Sequence, residues 1–366
     1  MEDGEIQGYA YGGAFIGRAA YAWSAETTVY IARDARKQGL GRKVYEALDS
    51  RSIPYIDATC PNVKRIQKIV EEQPEGTLVL IAGDAVHPEI QGIIGHCNVT
   101  CVTFTSAKEL AAQGVKELIL VAQETTLYGV DLYGEKTLPK LLHELCKIEE
   151  IQWIRLMYCY PEEITDELID TIAEEEKVCH YLDIPIQHSE DPVLRRMGRR
   201  TCKKDIVELI AKLRIRIPDI AIRTTLIAGF PGETEADHEA LMEFVNESEF
   251  DRLGVFTYSP EEGTPAASFP DQIENEVAEK WRDDIMALQQ EVSYDKNQEL
   301  LGKSLTVLIE GYVAEDDVYV GRTYRDAPDV DGMVFVDAPY ELMSGTFVQV
   351  RITDANEYDL TGEMIE

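Results

Sequence analysis

Positive charge is what this sequence has least of. Lysine and arginine number 35 against 68 aspartates and glutamates in 366 residues, a formal net charge of −33. Phosphate backbones are held by cations, so so acidic a chain argues against extensive nucleic-acid contact and suits a basic protein partner. Long apolar runs are lacking too: no stretch of about 18 hydrophobic residues occurs, so no membrane span is expected. The opening MEDGEIQGYAYGG has neither the basic start nor the apolar centre of a secretory signal. Cysteine is sparse and odd in number, seven in all, which gives no disulfide framework and points to a reducing cytoplasm. There is no internal repeat, low-complexity tract, P-loop, zinc spacing or Ser-His-Asp arrangement. What is there is 45% hydrophobic and 28% charged, the make-up of a globular chain long enough for two or three domains.

Along the chain the texture changes twice. Residues 1–49 open Gly/Tyr/Ala-rich, then offer a strand, TTVYIA, and a helix, GRKVYEALDS. Residues 50–104 read strand, helix, strand (IPYIDA, PNVKRIQKIVEEQ, TLVLIAG), a β-α-β unit. From 105 a long alternation begins. Strand candidates are ELILVA, WIRLMYC, YLDIPI, IRTTLIAGF and RLGVFTY, with helical patterns near 137–148, 162–175, 203–215 and 234–249 between them. That alternation predicts parallel β/α architecture, a barrel or part of one. Residues 271–300 read as one long helix leading outward. From 301 to 366 the pattern is all-β: SLTVLIEGYV, VYVGRTY, GMVFVD and FVQVRIT between Asp, Gly and Pro turns, a small barrel. This last stretch holds 14 acidic residues against 4 basic ones, so the acidity is concentrated there.

In parallel β/α folds the active site lies in loops at the carboxyl ends of strands. Three loops here have that place: VAQETTLYGVDLYG, DIPIQHSEDPVLRRMGRRT and TTLIAGFPGET. In the third, Gly229 and Gly232 let the backbone approach a ligand, and Glu233 offers a carboxylate to a ribose or an amine. The plainer reading is a strand-to-helix turn, with Thr234 capping the helix that follows. His188, in the second loop, is a site candidate; the other five histidines read as surface or packing residues. Upstream, GHCNVTCVTF sets Cys97 and Cys101 at a CxxxC spacing, with Phe104 where a third cysteine would complete CxxxCxxC. The two thiols are either cluster ligands or ordinary cysteines.

The strings GVKELILVAQETTLYGVDLYGEK, WIRLMYCYPEEITDELI, KVCHYLDIPIQHSEDPVLRRMGRRT, IRTTLIAGFPGETEADHEAL and FDRLGVFTYSPEEGTPAA together resemble the methylthiotransferase branch of the radical S-adenosylmethionine (SAM) enzymes. Within that branch they resemble the type that modifies an aspartate of a small-subunit ribosomal protein. The closing segment, with YVGRTYRDAPDVDG and ITDANEYDLTGE, resembles the TRAM domain of those enzymes. The resemblance implies a partial radical-SAM (β/α) barrel over 105–300 and a TRAM β-barrel over 301–366. It also implies a 4Fe–4S cluster and SAM as cofactors, with Gln123, Gln187, Gly229, Gly232 and Glu233 lining the SAM site. Three thiolates bind the cluster in that family, soft sulfur being the ligand that iron–sulfur clusters need. Here Cys97 and Cys101 supply at most two of them, which implies impaired activity. The acidic TRAM barrel is expected to dock the basic ribosomal protein.

Two shorter resemblances precede this one. YIDATCPNVKRIQKIV and LVLIAGDAVHPEIQGIIG resemble the hydroxymethylbutenyl diphosphate reductases, in which the DATCP cysteine, here Cys60, ligates a cluster. There the His and Glu of HPE, here His87 and Glu89, bind the diphosphate and pass protons. RAAYAWSAETTVYIARDARKQGLGRKVYEALDS resembles a phosphinothricin-type acetyltransferase of the GNAT class. Its R-x-x-G-x-G turn, here Arg36, Gly39 and Gly41, presents amides to the pyrophosphate of acetyl-CoA, and Glu26 matches an acidic residue able to act as a base. The N-terminal hundred residues therefore read as an α/β mosaic of fragments. Two other readings stay open: a non-catalytic chimera that binds a basic partner through the acidic barrel, which Phe104 favours, and a reductase, which Cys60, His87 and Glu89 favour. Cys60 beside Cys97 and Cys101 would form one composite site.

Overall fold

The computed structural model describes four short strands, 8–14, 25–31, 55–57 and 80–82, and then residues 104–365 apart from 113 and 123. The chain divides into two compact units, Met1–Ser106 and Ala107–Glu366. In the first, β1 (Gly8–Ala14) pairs antiparallel with β2 (Ala25–Ile31), and β3 (Tyr55–Asp57) pairs parallel with β4 (Leu80–Ala82). β3 and β4 fall within IPYIDA and TLVLIAG, and the helix read between them lies outside the described residues. The Gly/Tyr-rich β1 is a strand that its composition hides.

After α1 (Phe104–Ala112) the second unit builds an open, five-stranded parallel sheet in sequence order. Its strands are β5 (Glu117–Leu120), β6 (Trp153–Leu156), β7 (Val178–Asp183), β8 (Ala221–Ala228) and β9 (Arg252–Thr257). Short helices connect them: α2 (Val130–Tyr133) and α3 (Leu138–Cys146), α4 (Asp166–Glu174), α5 (Asp191–Arg196) and α6 (Lys203–Arg216), and α7 (Glu235–Ser248). Thr165 and Thr234 each accept a backbone N–H in the first turn of the helix that follows, which fixes where α4 and α7 start. All four residues of β6 are buried, the pattern of a strand covered on both faces. On one face lie leucines and isoleucines of the helices, such as Leu142, Ile169 and Leu213.

The second cover is the C-terminal barrel. The long α8 (Asn275–Gln298) lies along β9, where Gln289 donates to the Phe250 carbonyl, and leads into a closed five-stranded barrel. Its strands are β10 (Ser304–Val313), β11 (Val318–Arg322), β12 (Val334–Asp337), β13 (Phe347–Ala355) and β14 (Leu360–Ile365), in the order β10-β11-β12-β14-β13. Val307, Val334, Val350 and Leu360 fill its interior. β14 (LTGEMI) closes the barrel by pairing parallel with β12 and antiparallel with β13. Leu308 and Ala327 of this barrel join Trp153, Cys179, Tyr181 and Ala221 of the sheet in one apolar cluster, with Phe347 edge-on to Trp153 at 4.7 Å.

Around that cluster runs a layer of buried ion pairs, the chief electrostatic feature of the unit. Glu117 takes Arg155 on one oxygen (2.8 Å) and Arg322 on the other (2.6 Å), while Arg322 also reaches Glu310 at 2.7 Å. Arg252 holds Asp326 (2.6 Å), and Arg325 holds Asp251 (2.6 Å). Burial alone would push the Glu117 carboxyl up, but Arg155 and Arg322 outweigh it and hold the group below its ordinary 4.5. A carboxyl lowered on folding adds stability above its unfolded value and loses it as pH falls through the folded one. Asp331 is shifted the other way, chiefly by burial and then by the Asp326 charge, so it opposes this loss. The melting-temperature gap between the native chain and Glu117→Gln is therefore expected to narrow as pH falls below the ordinary 4.5. A gap independent of pH in calorimetric scans would rule this out.

Candidate functional site

The carboxyl ends of β5, β6, β7 and β8 turn into loops that hydrogen-bond across to one another. After β5, the Thr125 hydroxyl donates to the Met157 carbonyl at 2.6 Å, and the Thr125 N–H donates to the Tyr158 carbonyl at 3.0 Å. Glu124 accepts the N–H groups of Thr126 (3.0 Å) and Tyr160 (3.2 Å). Burial raises its carboxyl above the ordinary value, against these hydrogen bonds, with the Glu163 charge adding to the rise. After β6, Tyr158 has a left-handed backbone (φ 55°) and a side chain 48% exposed. A non-glycine residue with positive φ is held there by its surroundings. Its N–H donates to Asp183 Oδ2 at 3.0 Å, and the next N–H, of Cys159, donates to the Asp183 carbonyl at 2.8 Å.

After β7 the same device recurs. Gln187 is left-handed (φ 71°), with its N–H on the Thr225 carbonyl (2.9 Å) and its own carbonyl accepting from Ile227 (2.8 Å). With its backbone committed to β8, Gln187 is left with its side-chain amide. His188 is fully buried; its Nδ1 accepts the Glu190 N–H (3.0 Å), which leaves Nε2 to donate to Glu233 Oε1 at 3.3 Å. Glu233 Oε2 accepts the N–H groups of Gly229 (2.7 Å) and Phe230 (2.9 Å). The Glu233 carboxylate thus ties the Gly-Phe-Pro-Gly turn to the His188 loop, with both oxygens occupied by protein. Gly229 and Gly232 have φ of 78° and 83°, and a Cβ would meet Ala278 of α8 at the first and the Arg196 guanidinium at the second. Arg196 binds the Pro231 carbonyl (2.8 Å), and Arg199 lies 4.4 Å above the Tyr160 ring.

Four of the residues singled out in the sequence, Gln187, Gly229, Gly232 and Glu233, therefore share the mouth formed by these strand ends, joined by His188. Glu26 lies on β2 opposite Gly13. Gln123, Arg36, Gly39, Gly41, Cys60, His87, Glu89, Cys97 and Cys101 lie outside the described residues. Phe104 opens α1. Among the described residues no three of His, Cys, Asp and Glu are grouped so as to hold a metal. The four described cysteines are free. Cys179 is buried and pushed up to about 12, above all by desolvation. Cys159 is raised well above its ordinary value by burial and then by the charges of Glu124 and Asp183. Without a metal beside them, both are held as neutral thiols. What the sequence reading missed is Glu124, Tyr158 and Asp183. Asp183, a charge inside the apolar strand YLDIPI, was the available signal.

Models of known families match three parts of the chain. The model of the Radical SAM superfamily matches residues 105–245, and that of the TRAM domain matches 301–365. The model of LytB protein matches 25–147, reaching past both ends of the reductase-like segment. The solved structure of Escherichia coli coproporphyrinogen III oxidase, described as a radical SAM enzyme, superposes with a TM-score of 0.43 at 21% identity over 52% of this chain and 43% of its own.

Over about 256 residues the chain is similar to proteins described as ribosomal protein uS12 methylthiotransferase RimO. It is 59% identical over 256 residues to the protein of Lachnoclostridium phytofermentans and 52% over 257 residues to that of Desulfitobacterium hafniense. Each alignment covers 70% of this chain and 58% of the relative, so the chain spans little more than half the length of those proteins. Among the described residues no helix is long and apolar enough to cross a membrane.

Proposed function

We propose that this chain is a cytoplasmic radical SAM methylthiotransferase whose substrate is an aspartate of ribosomal protein uS12. The observation that carries the reading is the identity of 59% over 256 residues, a span that includes every loop of the mouth. In this reading Gln187 and the Gly229–Gly232 turn, together with Gln123, receive SAM. Glu233 and His188 keep that turn in shape. Cys97 and Cys101, with Cys60 as a further candidate, would hold the 4Fe–4S cluster, which supplies the reducing electron for SAM cleavage. The 14 acidic residues of the barrel against 4 basic ones suit a basic ribosomal protein as partner.

Phe104, at the start of α1 where a third ligand would stand, favours a second reading. A phenyl ring binds no iron, so the chain would keep its partner and lose its chemistry. Anaerobic reconstitution separates the two, with iron and sulfide analysis and an optical spectrum on the native chain and on Cys101→Ala. About four irons per chain, lost in the variant, are expected for an enzyme of this class. A native chain without iron would overturn the catalytic reading and leave partner binding to be tested.

A further inference from the structure

Two buried carboxylates and the arginine between them form a line from the C-terminal barrel to the mouth. Asp331, in the segment between β11 and β12, faces Arg223 Nε with Oδ1 at 3.3 Å. Its Oδ2 accepts from the Tyr181 hydroxyl (2.7 Å) and from the Ala327 N–H (2.8 Å). Arg223, third residue of β8, donates from Nη1 to Asp183 Oδ1 at 2.8 Å. The other oxygen of Asp183 receives the Tyr158 N–H. The Tyr158 carbonyl in turn accepts the Thr125 N–H of the β5 loop. Each link is a charge-assisted or backbone bond, and Asp331 and Asp183 side chains are each only 2% exposed.

We propose that Asp331, Arg223 and Asp183 are positioning residues that make the C-terminal barrel part of the ligand mouth. Arg223 is shared between two carboxylates. The pull of Asp331 fixes the guanidinium, the guanidinium fixes the Asp183 carboxylate, and Asp183 holds Tyr158 in a backbone conformation that it does not adopt unaided. The exposed Tyr158 ring and the loop carrying Glu124 are thereby set from the barrel side. The link to SAM rests on the reading of the mouth given above; the link to Tyr158 does not.

The test uses the full chain and two readouts. One is amide hydrogen exchange of the peptide 157–160; the other is the affinity for S-adenosylhomocysteine, measured by calorimetry. Asp331→Asn, nearly isosteric, removes the charge facing Arg223. It is expected to speed exchange at 157–160 about tenfold and to weaken S-adenosylhomocysteine about fivefold. Arg322→Lys, at the Glu117 and Glu310 pairs of the same interface, is expected to leave both unchanged, which a general loosening of the barrel would not. Arg223→Met, which removes both links, is expected to speed exchange at 157–160 at least as much as Asp331→Asn; should it fail to fold, Asp331→Asn carries the test. Unchanged exchange at 157–160 in Asp331→Asn, or an equal rise in Arg322→Lys, overturns the relay. A native chain that ignores S-adenosylhomocysteine, while Asp331→Asn still speeds exchange, sinks the SAM reading and leaves the relay standing.

Discussion

Arg155→Met is expected to be the most damaging single substitution outside the mouth. The Arg155 side chain is wholly buried. It donates to Glu117 (2.8 Å) and to the Tyr324 carbonyl (2.6 Å), and its guanidinium lies 4.6 Å above the Tyr181 ring. Methionine fills much of the volume but leaves the Tyr324 carbonyl without this donor and Glu117 with Arg322 as its remaining cation. Removing one partner of a buried pair costs about 3–5 kcal/mol, and because Arg322 still faces Glu117 the cost should fall at the low end, about 3 kcal/mol. For a domain of this size that is a fall in melting temperature of roughly 6–12 °C. Glu117→Gln combined with Arg155→Met should cost less than the sum of the two, since the bond between them is then lost only once. Calorimetry on the four proteins decides it; strictly additive losses would mean that the pair is not coupled. Lys140→Ala, which breaks an exposed pair with Glu135, should leave the melting temperature where it was.

How much of this was legible in the sequence differs from element to element. Four of the five parallel strands fall where the apolar runs put them, while β7 starts three residues before YLDIPI and ends at Asp183; the helices near 203–215 and 234–249 fall within a residue of their ends. Thr234 was legible as a cap because a hydroxyl before an Asp-containing first turn has one obvious use. β14 was not, because Leu360 and Gly362 alternate with Thr361 and Glu363 over too short a run, and the pairing that stabilises it comes from β12 and β13. The mouth was legible in outline, through Gln187, Gly229, Gly232 and Glu233. The use made of Glu233 was not: two amides and an imidazole converge on it only when the chain turns back at Phe230. The arginine layer was invisible for a similar reason. Arg223 and Arg252 look misplaced inside apolar strands until barrel residues 70 or more positions away, Asp331 and Asp326, supply carboxylates, and Arg155 until Glu117 of β5 does.

Gly229→Ala should injure the mouth more than any other single methyl group. The residue has φ 78°, where an added Cβ costs about 1 kcal/mol. That Cβ would also collide with the Cβ of Ala278 in the first turn of α8, and forced overpacking of this kind costs about 1–3 kcal/mol. Helix α8 cannot simply move away, because it is tied further along by Gln289 to Phe250 and by Asn297 to Asn356. The turn must yield instead, and the Gly229 and Phe230 amides then lose their bonds to Glu233. Affinity for S-adenosylhomocysteine is expected to fall by at least about tenfold. Ala278→Gly added to Gly229→Ala removes the collision while leaving the φ strain, so it should recover about 1–2 kcal/mol of the loss. Alone, Ala278→Gly should cost up to about 1 kcal/mol as a glycine inside a helix. The cycle of four proteins therefore separates the two causes. A coupling of zero would place the whole cost in the backbone of Gly229, and an undamaged single variant would mean that the turn is not held against α8 at all.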